Sequence, residues 1–253
     1  MNNPAADDVL ARYLADKARC VVASMDYSKA PLRAFPAAYE DLIELVLAAI
    51  GDVELDIDPE KVVLCGSSSG GNLALAIAQD PRIRPKLMGV LAFTPIVDFV
   101  TPYEQKLATR PNPQVPDFLS GYYHSMVRAY LGGRDVSLES VMLSPARFRT
   151  RQDLPEHLYL VGVEHDLLSK EVEVMAERLA EGLEKTNTEK GWQVGSVKWD
   201  HIKDQSHGFE NFPTKDEKFE EARLLAASAA FQAMADWLIA LSDHAIRLEC
   251  IKL

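Results

Sequence analysis

The sequence is poor in cysteine and has no two cysteines close together. Its three cysteines, Cys20, Cys65 and Cys250, are widely spaced and form no C-x-x-C pair. The spacing therefore indicates neither a disulfide-stabilised secreted domain nor a cysteine-based zinc module. The first residues, MNNPAADD, also lack the basic and apolar regions of a secretion signal. We expect a reducing, cytoplasmic location.

Positive charge is also in short supply, since 27 Lys and Arg are scattered among 38 Asp and Glu, for a net charge of -11. Nucleic acids and anionic membranes bind clustered basic residues, so neither is an expected partner. A neutral or modestly charged small molecule is the expected partner. The longest apolar segment begins at Leu224 but contains Gln232 and Asp236. We expect a helix packed on a core there, with no membrane span. The sequence does not indicate an oligomeric state.

The rest of the chain alternates short apolar runs with longer segments of helical periodicity. This alternation predicts an α/β fold, with a mostly parallel sheet covered by helices on both faces. The length of 253 residues and the 47% hydrophobic content fit a single domain, residues 1–253. Prolines and aromatic residues interrupt the pattern at about 100–133, which predicts a lid or loop inserted above the sheet. The predicted strands are CVVASMD, KVVLC, LMGVLAF, HLYLVGV and GSVKWDHI.

The segment GSSSG, residues 66–70, lies between the predicted strand KVVLC and a predicted helix. G-x-S-x-G in this context is typical of a sharp turn that exposes the middle serine as a nucleophile. Ser68 is that serine. The Ser69 amide, at the start of the helix, could stabilise a developing oxyanion. The competing interpretation is an ordinary glycine-serine turn. A phosphate-binding loop is not indicated, because Asn72 stands where such a loop has lysine.

A serine nucleophile needs a histidine base, and the base needs a carboxylate. Strand HLYLVGV is followed by Glu164, His165 and Asp166, and strand GSVKWDHI is followed by His207. The carboxyl ends of parallel strands meet at one edge of the sheet, where ligands collect. We therefore predict Asp166 as the acid and His207 as the base, with His165 as the closest rival for the base.

Metal binding is the alternative use of the histidine region. His201, Asp204 and His207 could in principle share an ion, but no fourth ligand has suitable spacing. The remaining histidines are better explained as surface or packing residues. We therefore expect no metal and no other cofactor.

Four stretches resemble the hormone-sensitive-lipase-like branch of the α/β-hydrolase fold, a family of carboxylesterases that includes the arylacetamide deacetylases. They run from Val21 to Phe212, in the family's order, and read VVASMDYSKAPLRAFPAAYEDL, VVLCGSSSGGNLALAIA, VGVEHDLLSKEVEVMAERL and DQSHGFENF. The resemblance implies an α/β-hydrolase fold and a triad of Ser68, Asp166 and His207. It also implies hydrolysis of small apolar or aryl esters without a cofactor. The predicted pocket residues are Tyr103, Phe118, Tyr122, Tyr123 and Met126, although these could equally pack the lid onto the body.

Two of the departures from this family concern the chemistry of the site. Ser67 stands where the family has an aspartate, and the glycine-rich H-G-G-G segment that supplies further oxyanion donors is absent. The resemblance implies that an interior strand of the family's sheet is missing together with that segment. We expect that the sequence is part of a longer protein, or else that the strand CVVASM pairs directly with KVVLC.

Two other functions remain open. Without the H-G-G-G segment, the chain could be a weakly active or non-catalytic ligand-binding relative, as the gibberellin receptors of this family are. It could also form lactones or cleave amides with the same three residues.

Overall fold

A computed structural model describes residues 8–55, 57–242 and 249–253. In the described residues a single sheet of eight strands runs through the molecule, in the order β1-β8-β2-β3-β4-β7-β6-β5. The first six strands in this order are parallel to one another. The last two pairings, β7 with β6 and β6 with β5, are antiparallel. The strands are β1 Val21–Ser24, β2 Val62–Ser67, β3 Leu87–Phe93, β4 His157–Val163, β5 Thr186–Asn187, β6 Gly191–Val194, β7 Val197–Ile202 and β8 Glu249–Lys252. The predicted mostly parallel α/β fold is confirmed.

Helices cover both faces of the sheet. The helices are α1 Asp8–Ala18, α2 Ala37–Gly51, α3 Ser69–Ile77, α4 Tyr103–Ala108, α5 Phe118–Leu131, α6 Ser169–Leu179 and α7 Glu217–Ser242. Helices α2, α3 and α6 share one core with the sheet, and α1 and α7 share a second core on the opposite face. Strand β2 shows why the sheet forms: Leu64 enters the first core, while Val63 and Cys65 enter the second. A strand buried on both faces is uniformly apolar, as KVVLC is.

Helices α4 and α5 form a cap above the sheet, in the stretch where the sequence predicted a lid or loop. The stretch contributes no strand, as expected, but it is largely helical. Leu119 and Tyr123 of α5 pack against Leu167 and Leu168, which follow β4. The cap therefore rests on the loop that carries Asp166.

Strand β8 is the main departure from the expected sheet. Four residues near the end of the sequence lie between β1 and β2 and pair in parallel with both. The prediction that CVVASM pairs directly with KVVLC is therefore wrong. The physical reason is that an interior gap would leave backbone amides and carbonyls unpaired, and β8 satisfies them. Whether the sequence is part of a longer protein stays a prediction.

The other differences lie near the antiparallel edge. Helix α6 ends at Leu179, and Gly182 follows with a φ of +76°. The chain then forms the short strands β5 and β6, which the sequence analysis did not predict.

Helix α7 has the length and apolar composition that a membrane span requires, and it is the one such helix in the described ranges. Core helices of soluble proteins meet the same criteria. Here Met234, Ala235 and Leu238 are fully buried in the core that α7 shares with α1 and the sheet.

Candidate active site

Ser68 lies in a strained turn between β2 and α3. Its φ of +53° and ψ of −113° are unfavourable for a residue with a side chain. The turn is tight: a Cβ on Gly66 would lie 2.3 Å from the carbonyl carbon of Gly70. The Ser68 amide donates to the carbonyl of Phe93, at 2.9 Å, which holds the turn against β3. Two glycines are needed because the backbone folds back on itself here.

The three residues predicted from the sequence as a triad lie in direct contact. Nε2 of His207 is 2.9 Å from Oγ of Ser68, and Nδ1 of His207 is 2.8 Å from Oδ2 of Asp166. A carboxylate only accepts hydrogen bonds, so Nδ1 donates to it, and Nε2 is left to accept from the Ser68 hydroxyl. His165, the rival base, takes no part in this chain of contacts.

Backbone hydrogen bonds join the loop that carries the acid to the loop that carries the histidine. The Glu164 amide donates to the Ile202 carbonyl and the His165 amide to the Gln205 carbonyl, both at 2.9 Å. Asp166 is buried, and its Oδ1 accepts from the Leu168 amide at 2.9 Å. The Leu168 amide therefore holds the carboxylate oxygen that does not contact the imidazole, and this fixes the orientation of the Asp166 side chain.

The cap is attached to both loops. Arg110, a buried cap residue, donates through Nε to the His165 carbonyl, at 3.0 Å, and through Nη2 to the Val115 carbonyl, at 2.5 Å. Ser206, next to His207, donates through Oγ to the Pro116 carbonyl at 2.9 Å. The cap segment from Arg110 to Pro116 thus contacts the chain directly before the acid and directly before the base.

Charges around His207 favour its protonated form. Burial by itself lowers the pKa of His207, but the Asp166 carboxylate more than offsets this, with smaller contributions from Glu210 and Asp117. The pKa of His207 is therefore raised above its ordinary value. Asp117 is the buried N-cap residue of α5, and its own pKa is raised by burial and by the nearby Asp166 carboxylate. A raised histidine pKa suits a base that must hold a proton during a reaction.

Ser69 is the first residue of α3, so its amide belongs to the positive end of that helix. Strand β8 ends beside this turn: a Cβ on Gly70 would lie 2.2 Å from the Leu253 carbonyl oxygen. The Leu253 amide donates to the Cys65 carbonyl at 2.8 Å, so it is committed to the sheet. The Ser69 amide, the predicted oxyanion donor, therefore lies at the N-terminus of α3, directly after Ser68.

A cleft of about 270 Å³ opens over Ser68 and His207. Of the predicted pocket residues, Phe118, Tyr123 and Met126 line it. Tyr103 and Tyr122 are not among the residues that line it. Tyr122 is exposed because it precedes the inward-facing Tyr123 by one position, about 100° around the helix. Tyr103 lies behind Tyr123, with ring centroids 5.5 Å apart, and its hydroxyl donates to the Ser120 carbonyl.

Several residues that line the cleft were not predicted from the sequence. They include apolar and aromatic side chains from three separate parts of the chain: Met25, Tyr27, Ile96, Phe99, Val127 and Tyr130. Phe212, in the loop after His207, also lines the cleft. Tyr27 and Phe212 stood inside the quoted family-like stretches, so those stretches could have indicated them.

The structure does not bring together the residues of the alternative metal site, His201, Asp204 and His207. Nε2 of His201 is 3.2 Å from Oγ of Ser169, and His207 is held by Asp166 and Ser68. Glu164, His165 and Asp204 do cluster in the described residues. The Glu164 carboxylate in this cluster already accepts from the Asp204 amide at 2.9 Å and lies 3.8 Å from Lys203 Nζ.

Comparisons with known proteins show which proteins this chain resembles. An arylesterase of Saccharolobus solfataricus is 29% identical over 186 residues, which cover 69% of this chain and 56% of the relative. An arylacetamide deacetylase of Oryctolagus cuniculus is 33% identical over 144 residues, covering 54% of this chain and 35% of the relative. The chain therefore spans about half or less of these relatives. A hyperthermophilic esterase of Pyrobaculum calidifontis has a similar fold, with a TM-score of 0.77 at 23% identity over 96% of this chain and 73% of that one.

A family model described as the α/β hydrolase fold matches residues 1–210. The matched region contains the turn at Ser68, the acid loop and the histidine loop. With the sheet order and the curated relatives, this match places the chain in the hormone-sensitive-lipase-like family of the α/β-hydrolase fold.

Proposed function

We propose that the chain hydrolyses carboxylic esters of small apolar or aryl substrates, with Ser68 as nucleophile, His207 as base and Asp166 as the orienting acid. The observation that carries the proposal is the continuous set of contacts from Asp166 through His207 to Ser68, at 2.8 and 2.9 Å. The names of the curated relatives, an arylesterase and arylacetamide deacetylases, support ester or amide cleavage.

The reaction follows from the positions of the three side chains. His207 Nε2 takes the hydroxyl proton of Ser68 as Oγ attacks the ester carbonyl, and the Asp166 carboxylate stabilises the resulting imidazolium. The Ser69 amide donates to the developing oxyanion. Nε2 then protonates the leaving alcohol, and a water molecule, activated in the same way, releases the acid from Ser68.

The cleft limits the substrate. Ligand sites for drug-sized molecules usually enclose roughly 300–1,000 Å³, so a cleft of about 270 Å³ favours a small ester. Apolar and aromatic side chains contribute much of its lining, among them Met25, Phe99 and Met126. Short or medium acyl groups are therefore better substrates than long or charged ones.

Slow turnover is part of the proposal. A single lost oxyanion donor typically costs on the order of 10²–10³ in kcat. With the Ser69 amide as the main donor, the chain would hydrolyse esters well below the rate that a second donor would allow.

Hydrolysis of p-nitrophenyl acetate, butyrate and decanoate tests the proposal. We expect acetate and butyrate to be cleaved faster than decanoate, and Ser68→Ala to lower kcat on the order of 10⁴-fold or more. Ser228→Ala, an exposed serine of α7, is the matched control and should behave as wild type. Equal activity of the Ser68→Ala and Ser228→Ala proteins would refute the assignment.

A further inference from the structure

Three aromatic side chains form a half-exposed cluster beside the cleft, and two of them, Phe118 and Phe212, line it. Phe118, Tyr122 and Phe212 are 47%, 57% and 48% exposed. The ring of Phe118 is 5.1 Å from that of Phe212 and 5.3 Å from that of Tyr122, between centroids. We call these three residues the aromatic platform. Contacting rings that stay half in water leave apolar area available to a ligand.

The platform lies next to His207. Gly208 follows His207 directly and has a φ of +74°, and a Cβ there would lie 2.6 Å from the Phe212 ring. The Phe212 ring therefore packs onto the backbone beside the base. Phe118 follows Asp117, whose carboxyl is close enough to His207 for each to shift the other's pKa. Phe118 and Phe212 also line the cleft together with Ser68 and His207.

The chemistry of ester cleavage determines where the alcohol part and the acyl part of the ester lie in the cleft. The proton that Nε2 of His207 takes from Ser68 must pass to the oxygen of the leaving alcohol as the bond between that oxygen and the acyl carbon breaks. The acyl group stays on Ser68 Oγ. The leaving oxygen must therefore lie within hydrogen-bond reach of Nε2, which places the alcohol beside His207 and the platform.

We propose that the aromatic platform is the leaving-group site and gives a preference for esters of aromatic alcohols. This inference rests on the proposed hydrolysis and adds to it the side of the ester that is selected. Aromatic ring pairs gain from stacked or edge-to-face contacts beyond their area of burial. Phe118 and Phe212 are the specificity-determining residues, and Tyr122 supports the Phe118 ring from the solvent side.

Two pairs of esters separate the alcohol side from the acyl side. Benzyl acetate and cyclohexylmethyl acetate share an acyl group and differ in the aromaticity of the alcohol. Ethyl phenylacetate and ethyl cyclohexylacetate share an alcohol and differ in the acyl group. We expect wild type to favour benzyl acetate over its saturated partner by about 2- to 10-fold in kcat/KM, the range of one aromatic contact.

Phe212→Leu and Phe118→Leu test the assignment, since leucine keeps apolar bulk without the ring. We expect each to bring the ratio for the alcohol pair close to 1 and to leave the ratio for the acyl pair at the wild-type value. Phe219→Leu is the matched control, because Phe219 is an exposed phenylalanine of α7 away from the cleft and should keep both ratios.

The outcomes distinguish this inference from the proposed function. Hydrolysis with no preference in the alcohol pair, or a change confined to the acyl pair in Phe212→Leu, would overturn the inference alone. No hydrolysis of any of the four esters by folded protein that also fails to react with a fluorophosphonate would overturn the proposed function, and the inference with it.

Discussion

The Ser67 hydroxyl, in the turn that carries Ser68, donates to Oε1 of Glu210 at 3.3 Å. Ser67 stands where the family usually has an aspartate, so the negative charge expected beside Ser68 is absent at that position. Glu210, three residues after His207, provides a carboxylate in the same cleft. Glu210 also contributes to the raised pKa of His207, after burial and the Asp166 carboxylate.

The raised pKa of His207 predicts the pH dependence of hydrolysis. Only neutral His207 accepts the Ser68 proton, so kcat/KM should fall as pH decreases through the raised pKa, which lies above the ordinary 6.5. Glu210→Gln removes one charge that favours the protonated ring, so its acid limb should move to lower pH. A pH series of kcat/KM for both proteins measures this. An acid limb that stays in place or moves to higher pH in Glu210→Gln would contradict the electrostatic account.

Arg110 is predicted to position the acid loop from the cap. Arg110→Ala removes the guanidinium contact with the His165 carbonyl, directly before Asp166. We expect kcat to fall about 10- to 100-fold with a smaller change in KM, because small displacements in a catalytic group are costly. Free guanidinium should restore part of the rate. Arg128→Ala, an exposed arginine of the same cap, is the control. If both variants lose activity equally, Arg110 has no special role.

The buried ion pair between Lys106 and Glu171 is predicted to hold the cap on the body. Lys106, on α4, donates to the Glu171 carboxylate and to the Asp98 carbonyl, and Glu171 accepts from the amides of Val97 and Asp98. Burial raises the pKa of Glu171 to about 7 despite these contacts. Lys106→Met leaves the carboxyl without its cation and should cost about 3–5 kcal/mol in the free energy of unfolding.

A second variant separates lost charge from lost packing. Lys106→Met combined with Glu171→Gln removes the buried charge and keeps an acceptor for the two amides. Denaturant unfolding of both proteins should show that the double variant recovers much of the loss. If it is no more stable than Lys106→Met, the charge of Glu171 is not the cause.

Strand β8 can be tested through the cysteines that it brings together. Cys20, Cys65 and Cys250 are all buried, although they are far apart in the sequence. A hydrogen bond with Cys65, together with burial, raises the pKa of the Cys250 thiol. Thiols that are buried and protonated react slowly. In native buffer we expect no rapid reaction of the three thiols with a disulfide reagent.

Weakening β8 should expose these thiols. Ile251→Ala removes a buried side chain and should cost about 2–5 kcal/mol, and it should speed modification of Cys250 and Cys65. Leu225→Ala, an exposed residue of α7, should leave the rates unchanged. Immediate modification of Cys250 in the wild-type protein would show that β8 is not seated in the sheet.

The triad could be predicted from the sequence because each part depends on local order. A strand followed by a glycine-rich turn specifies Ser68, and the ends of two further parallel strands bring Asp166 and His207 to the same edge. Gly66 marks the close approach that the turn requires, because a Cβ there would meet the Gly70 backbone. These signals act within a few residues, so periodicity and turn chemistry suffice.

Strand β8 and the cleft lining could not be predicted in this way. The run ECIK is too short and too mixed in polarity to indicate an interior strand, and only the space between β1 and β2 selects it. Tyr122 and Tyr123 are neighbours with the same side chain, so the sequence does not distinguish them. The rotation of α5 about its axis, as it packs on the sheet domain, decides which of the two faces the cleft. The convergence of three cysteines likewise depends on strand register and leaves no mark on their spacing.

The central claim is that Ser68 is a nucleophile activated by His207, and covalent labelling tests it most directly. Folded protein is incubated with a fluorophosphonate, and the modified peptide is identified by mass spectrometry. We predict one adduct on Ser68, its loss in Ser68→Ala, and much slower formation in His207→Ala. Protein with a native circular dichroism spectrum that forms no adduct, or forms it on another serine, would contradict the account.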